Sequence, residues 1–115
     1  LDWITSYFSY HLSNPLNIDA MAKRAHLSPS RFNDVFKRQY GVTPHQYLLD
    51  MRINHACELL HRSELSQEQI TQYCGFSNIH HFSKTFKKKK GKSPGAYRKL
   101  GRLNGSDPRE FPSQH

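Results

Sequence analysis

Cationic and hydrogen-bonding side chains recur in two sets about fifty residues apart, each on the same frame of aromatic residues. The first frame reads Phe32-x-x-x-Phe36-Lys37-Arg38-x-x-Gly41-x-Thr43-Pro44-x-x-Tyr47. The second reads Phe82-x-x-x-Phe86-Lys87-Lys88-x-x-Gly91-x-Ser93-Pro94-x-x-Tyr97. Every named position returns at an offset of 50, with only Arg/Lys and Thr/Ser exchanged. With Phe32 taken as the inward direction and about 100° per residue, Ser30, Asp34 and Lys37 point outward. Arg31, Asn33 and Arg38 flank them. The same wheel on Phe82 turns His80, Lys84 and Lys87 outward, flanked by His81, Ser83 and Lys88.

Such faces suit a long anionic partner with a readable edge, which is duplex DNA before any other. Asn bonds adenine at two edge atoms, Lys or Arg bonds guanine, and a carboxylate accepts from the amino group of cytosine. Ser30, Arg31, Asn33, Asp34 and Lys37 are the candidate base readers of the first set, and His80, His81 and Lys84 of the second. Ser28, Arg38, Ser77, Asn78, Lys87, Lys88, Lys92 and Arg98 are candidate phosphate anchors, assisted by helix N-termini. The bland alternative for the polar members is a solvated helix face.

The elements that must carry these residues are helical, because start and stop signals for helices are frequent and strand signals nearly absent. Residues 2–12 space Trp3, Ile4, Tyr7, Phe8 and Leu12 for one helix face, and Asn17 caps a short helix through Ala25. Ser28-Pro29 is an N-cap followed by a proline at the first helical position, and that helix ends at Gly41. Thr43-Pro44 opens the longest helix, to about His61 or Arg62. Ser66-x-x-Gln69 resembles a capping box and starts a helix to Cys74. Ser77 or Asn78 caps the next, to about Lys89, with Gly91 as its stop. Ser93-Pro94 opens the last, ending near Leu100. The expected fold is all-α, with about seven helices in two helix-turn-helix subdomains joined by a long linker helix. Its divisions are a first subdomain over 1–42, the linker helix over 43–63, a second subdomain over 64–100 and a flexible tail over 101–115.

The helix-turn-helix assignment rests on small and apolar residues at fixed offsets around a tight turn. Ala22, Met21, Ala25 and Leu27 serve the first turn, and Ile70, Cys74 and Phe76 repeat the pattern at an offset of 49. One extra residue therefore lies between Phe76 and Phe82. His26 stands where the turn usually takes Gly, and Thr71 where the helix contact usually takes Ala. A linker of about 18 residues would span roughly 27 Å. Neighbouring major-groove faces lie about 34 Å apart, so one chain could reach two of them. Because the two sets differ, the expected target is asymmetric.

Bulk properties agree. The 115 residues carry 17 Lys/Arg against 9 Asp/Glu, a net charge of +8, and residues 84–102 hold nine Lys/Arg without an acid. That balance favours a polyanionic partner. Two cysteines without metal-ligand spacing predict no disulfide framework, no metal site and a reducing cytoplasm. No apolar run approaches the roughly 18 residues of a membrane span, and no signal peptide is evident.

These residues resemble the AraC/XylS family of bacterial transcription regulators, over residues 2–100. The most specific part runs Gly75-Phe76-Ser77-Asn78-x-x-x-Phe82-Ser83-Lys84-x-Phe86-Lys87-Lys88-x-x-Gly91-x-Ser93-Pro94-x-x-Tyr97-Arg98. Leu27-Ser28-Pro29-x-x-Phe32 and Arg52-Ile53-x-x-Ala56 also look like the family. The resemblance implies two helix-turn-helix subdomains that bind DNA and recruit RNA polymerase, usually activating transcription, in the nucleoid of a bacterial cytoplasm. It places base reading at Ser30, Arg31, Asn33 and Asp34, and at Ile79, His80, His81 and Lys84. It also implies that any effector ligand is bound by an N-terminal domain missing here, as the Leu1 start suggests. No cofactor and no membrane partner are expected.

Three other classes compete. Catalysis finds no support, because H-E-x-x-H, G-x-S-x-G, the phosphate-binding glycine loop and paired carboxylates are all absent. An RNA-binding module would expose aromatic platforms, whereas Phe32, Phe36, Phe82 and Phe86 fall on the inward face. A protein-interaction helical domain would use its lysines for solubility alone.

Overall fold

The structure is a computed structural model that describes residues 3–103; the rest of the expected tail, from residue 104, lies outside the described residues. Among the described residues there are seven helices and no strand: α1 (Ile4–Tyr10), α2 (Ile18–Arg24), α3 (Pro29–Tyr40), α4 (Pro44–Arg62), α5 (Gln67–Tyr73), α6 (Ile79–Lys90) and α7 (Pro94–Leu103). The chain divides into two compact units, Leu1–Arg52 and Ile53–His115, and the division falls inside α4. That helix has 19 residues, which at 1.5 Å each is about 28 Å.

The helices begin where side chains satisfy free backbone N–H groups. Ser28 Oγ accepts from the Arg31 amide at 3.1 Å and Pro29 takes the first helical position, which needs no donor. Asn78, rather than Ser77, caps α6, its Oδ1 accepting from the His81 amide at 2.8 Å. The capping box at Ser66 and Gln69 is complete, with both reciprocal bonds formed. A second box escapes the reading of the sequence: Thr43 and Gln46 exchange the same two bonds at 3.2 Å and open α4.

The N-terminal unit packs Ile4, Phe8, Met21, Ala22, Phe32, Phe36 and Leu48 into one apolar cluster. In the C-terminal unit Ile70, Phe82 and Phe86 are fully buried at the places of Met21, Phe32 and Phe36. The repeat extends to ring geometry. Phe36 meets Tyr47 edge-on at 5.6 Å and 82°, and Phe86 meets Tyr97 at 5.2 Å and 76°. Pro44 and Pro94 are fully buried in both copies. Burial of a phenylalanine side chain contributes about 1.5–3 kcal/mol, so these four rings are the main apolar anchors of α3 and α6.

The last helix runs three residues beyond the expected end at Leu100. Gly101, expected in the tail, lies within the helix, for a packing reason. A Cβ there would sit 2.7 Å from the His61 ring, so the position admits only glycine unless that ring moves. His61 in turn stacks on Tyr97 with centroids 4.4 Å apart and planes at 3°.

Candidate nucleic-acid interface

Helices α3 and α6 are each fixed to the helix before them by the same turn. In the N-terminal unit the Leu27 amide reaches Ala22 O at 2.9 Å and the His26 amide reaches Lys23 O at 3.0 Å. In the C-terminal unit Phe76 reaches Thr71 O at 3.0 Å and Gly75 reaches Gln72 O at 3.1 Å. This pair of bonds closes a helix only when one residue takes left-handed backbone angles. Gly75 does so at φ 82°, and His26 does so at φ 60°, the one non-glycine residue with positive φ among the described residues. A side chain is strained there. Thr71, in the place of Ala22, is buried and satisfies its hydroxyl by donating to Gln67 O at 2.7 Å. Neither departure from the motif changes the turn.

The turn leaves the outer faces of α3 and α6 open. Ser30, Arg31, Asn33, Asp34, Lys37 and Arg38 on α3 are all exposed. So are His80, His81, Lys84, Lys87 and Lys88 on α6, together with Ser28, Ser77, Asn78 and Lys92 near the helix ends. His81 rests its ring edge-on against Phe76 at 5.4 Å and 72°, which restricts its orientation. Ile79 is half-buried and lines an open groove of about 210 Å³ with Glu68, Thr71, Gln72, Phe76, Ser77 and Asn78. The extra residue of the second copy is placed by the caps: Ser28 directly follows Leu27, whereas Ser77 separates Phe76 from the capping Asn78.

Arg98, expected on a phosphate, has main-chain partners within the fold. It is half-buried, and its guanidinium donates to main-chain carbonyls at the end of α4: Nε to Leu60 O at 2.9 Å, Nη2 to Ser63 O at 3.3 Å and to Leu59 O at 3.5 Å. The last carbonyls of a helix lack partners within it and carry partial negative charge, so a guanidinium fork is well suited to them. In the N-terminal unit Arg52 likewise donates to main-chain carbonyls, there in the segment after α1: Leu12 O at 2.8 Å and Asn14 O at 2.6 Å. Lys90 Nζ donates to Asn54 Oδ1 at 3.3 Å. The side chains of Lys87 and Lys88 have no bond within the described residues. Of the phosphate candidates on α6 and beyond, Lys87, Lys88 and Lys92 have exposed ammonium groups with no partner among the described residues.

Near the same helix end, burial raises the Cys57 thiol above its ordinary value, opposed by its hydrogen bond to Tyr97. Burial, followed by that bond, pushes the Tyr97 phenol up to about 12. Both groups are neutral at physiological pH and support packing.

A helix-turn-helix domain family profile matches residues 21–100. The transcriptional activator RhaS of Escherichia coli is 36% identical over 94 residues, 82% of this chain and 34% of RhaS. The chain spans about a third of the length of the curated relatives it matches. Among solved structures, an AraC-type transcriptional regulator from Chromobacterium violaceum superimposes with a TM-score of 0.80 at 31% identity, covering 88% of this chain and 90% of that one. The DNA-binding domain of the global transcriptional factor AdpA, solved with a target DNA, gives a TM-score of 0.84 at 28% identity, covering 90% and 93%. No helix among the described residues is long and apolar enough to cross a membrane. On the doubled turn, the matched profile and these relatives, the chain belongs to the AraC/XylS family of transcription regulators, of which it is a helix-turn-helix DNA-binding domain.

Proposed function

We propose that the domain binds an asymmetric site on duplex DNA by placing α3 and α6 in successive major grooves, and that it activates transcription by recruiting RNA polymerase. It would act at the nucleoid, in the bacterial cytoplasm, with any effector bound outside this chain. One observation carries the reading: the same turn, cap and aromatic anchors are built twice, and both outer faces are left open with hydrogen-bonding and cationic side chains. The DNA complex of AdpA supports the partner, and the activator RhaS supports the direction of regulation. On this reading Ser30, Arg31, Asn33, Asp34 and Lys37, and Ile79, His80, His81 and Lys84, read bases. Ser28, Arg38, Ser77, Asn78, Lys87, Lys88 and Lys92 hold phosphates.

An RNA-binding role is disfavoured because Phe32, Phe36, Phe82 and Phe86 are fully buried and offer no platform to unstacked bases. Selection from random duplexes, followed by footprinting, tests the proposal. The expected site has two unlike halves centred about one helical turn, roughly 10 base pairs, apart. A palindromic site, or protection confined to one groove segment, would reject the two-groove arrangement.

A further inference from the structure

The two recognition helices differ in charge more than in shape. On α3, Arg31, Lys37 and Arg38 accompany one acid, Asp34; α6 carries Lys84 and Lys87 through Lys90 with no acid. At the offset of 50, Asp34 stands where α6 has Lys84. The imbalance extends to the units: residues 1–52 hold six Lys/Arg against four Asp/Glu, and residues 53–115 hold eleven against five. Asp34 is exposed, and within the described residues no hydrogen bond or ion pair engages its carboxylate, although Arg31, Lys37 and Arg38 lie three or four positions away. It sits sixth in α3, beyond the first turn where an acid would favour the helix dipole. The fold makes no use of this charge.

Resting on the duplex-DNA reading, we propose that Asp34 sets specificity by exclusion, while Lys87 and Lys88 of α6 supply affinity that is blind to sequence. An ionised carboxylate only accepts hydrogen bonds. In the major groove, guanine presents acceptors, thymine presents an acceptor and a methyl group, and adenine sets an acceptor beside its amino group. Cytosine alone presents just a donor. A carboxylate in the reading face is therefore satisfied opposite cytosine and repelled elsewhere, by acceptor atoms and phosphates alike. Discrimination of this kind lowers affinity for every wrong partner rather than raising it for the right one. The lysine-rich helix compensates by counterion release, which is the same for all sequences.

The test compares the full chain with Asp34→Asn and with the double variant Lys87→Gln/Lys88→Gln. Each is titrated against the duplex chosen by random selection, its single-base-pair variants and an unrelated duplex, at several salt concentrations. Asp34→Asn is expected to bind the unrelated duplex more tightly and to lose about five- to a hundredfold of preference at one base pair. Its urea midpoint should not move. The lysine variant is expected to weaken all duplexes together and to reduce the salt slope by about 2. The inference is overturned if Asp34→Asn keeps every base preference, weakens all duplexes alike or unfolds at lower urea. Failure of the unmodified chain to bind duplex DNA in a salt-dependent way rejects the functional reading itself. Normal binding with an unaltered Asp34→Asn profile rejects this inference alone.

Discussion

Replacing Arg98 separates a phosphate contact from a helix clamp. Its Nε–Leu60 O and Nη2–Ser63 O bonds, at 2.9 and 3.3 Å, join α7 to the end of α4, and the third contact at 3.5 Å adds little. Hydrogen bonds from a charged donor contribute about 1.5–3 kcal/mol each, but the clamp is only half-buried and water can replace part of it. Arg98→Gln should therefore destabilise the chain by about 2–3 kcal/mol. For a unit of this size that lowers Tm by roughly 10–20 °C. Arg98→Lys is the sharper variant. An ammonium serves a phosphate nearly as well but cannot reproduce the planar fork, so about 1–2 kcal/mol should still be lost. Urea unfolding followed by circular dichroism measures the loss, and DNA titration at several salt concentrations shows the slope unchanged in both variants. An Arg98→Lys chain as stable as the original, together with an Arg98→Gln slope lowered by about one, would refute the clamp.

Two further outcomes follow from the geometry. His26→Gly should raise stability by about 0.5–1 kcal/mol by relieving a side chain at φ 60°, whereas Gly75→Ala should cost about 1–2 kcal/mol at φ 82°; opposite shifts in the urea midpoint are the check. Tyr97 is neutral in the fold and its pKa is raised from 10.0 to about 12, so the unfolded chain loses this proton first as pH rises. The stability it carries is complete below pH 10 and lost through about pH 12, and Tyr97→Phe should flatten that alkaline decline in denaturant midpoint. An equally steep decline in the variant would show that another group is responsible.

The elements most legible in the sequence were those written in local side-chain chemistry. Ser28-Pro29, Ser66-x-x-Gln69 and Gly91 mark helix ends because their partners lie within four residues. Thr43-x-x-Gln46 carries the same signal, with Pro44 at the first helical position inside it. Gly101 carries no local sign of its place inside α7, because the His61 ring it packs against lies forty positions earlier. Arg98 could not be read at all. Its partners are carbonyl oxygens 35 to 39 residues away, and main-chain atoms leave no trace in residue type. The outer faces of α3 and α6 were readable because the buried phenylalanines fix the helical phase, and every residue the wheel turned outward is exposed.

The most direct test of DNA binding is its salt dependence on a duplex, with single-stranded RNA of equal length as competitor. Arg38, Lys87, Lys88 and Lys92 are the exposed cations assigned to phosphates. At about −0.9 per neutralised phosphate they predict a slope of log affinity on log salt near −4, with the duplex preferred. A slope near zero, or RNA displacing the duplex on equal terms, would contradict the account.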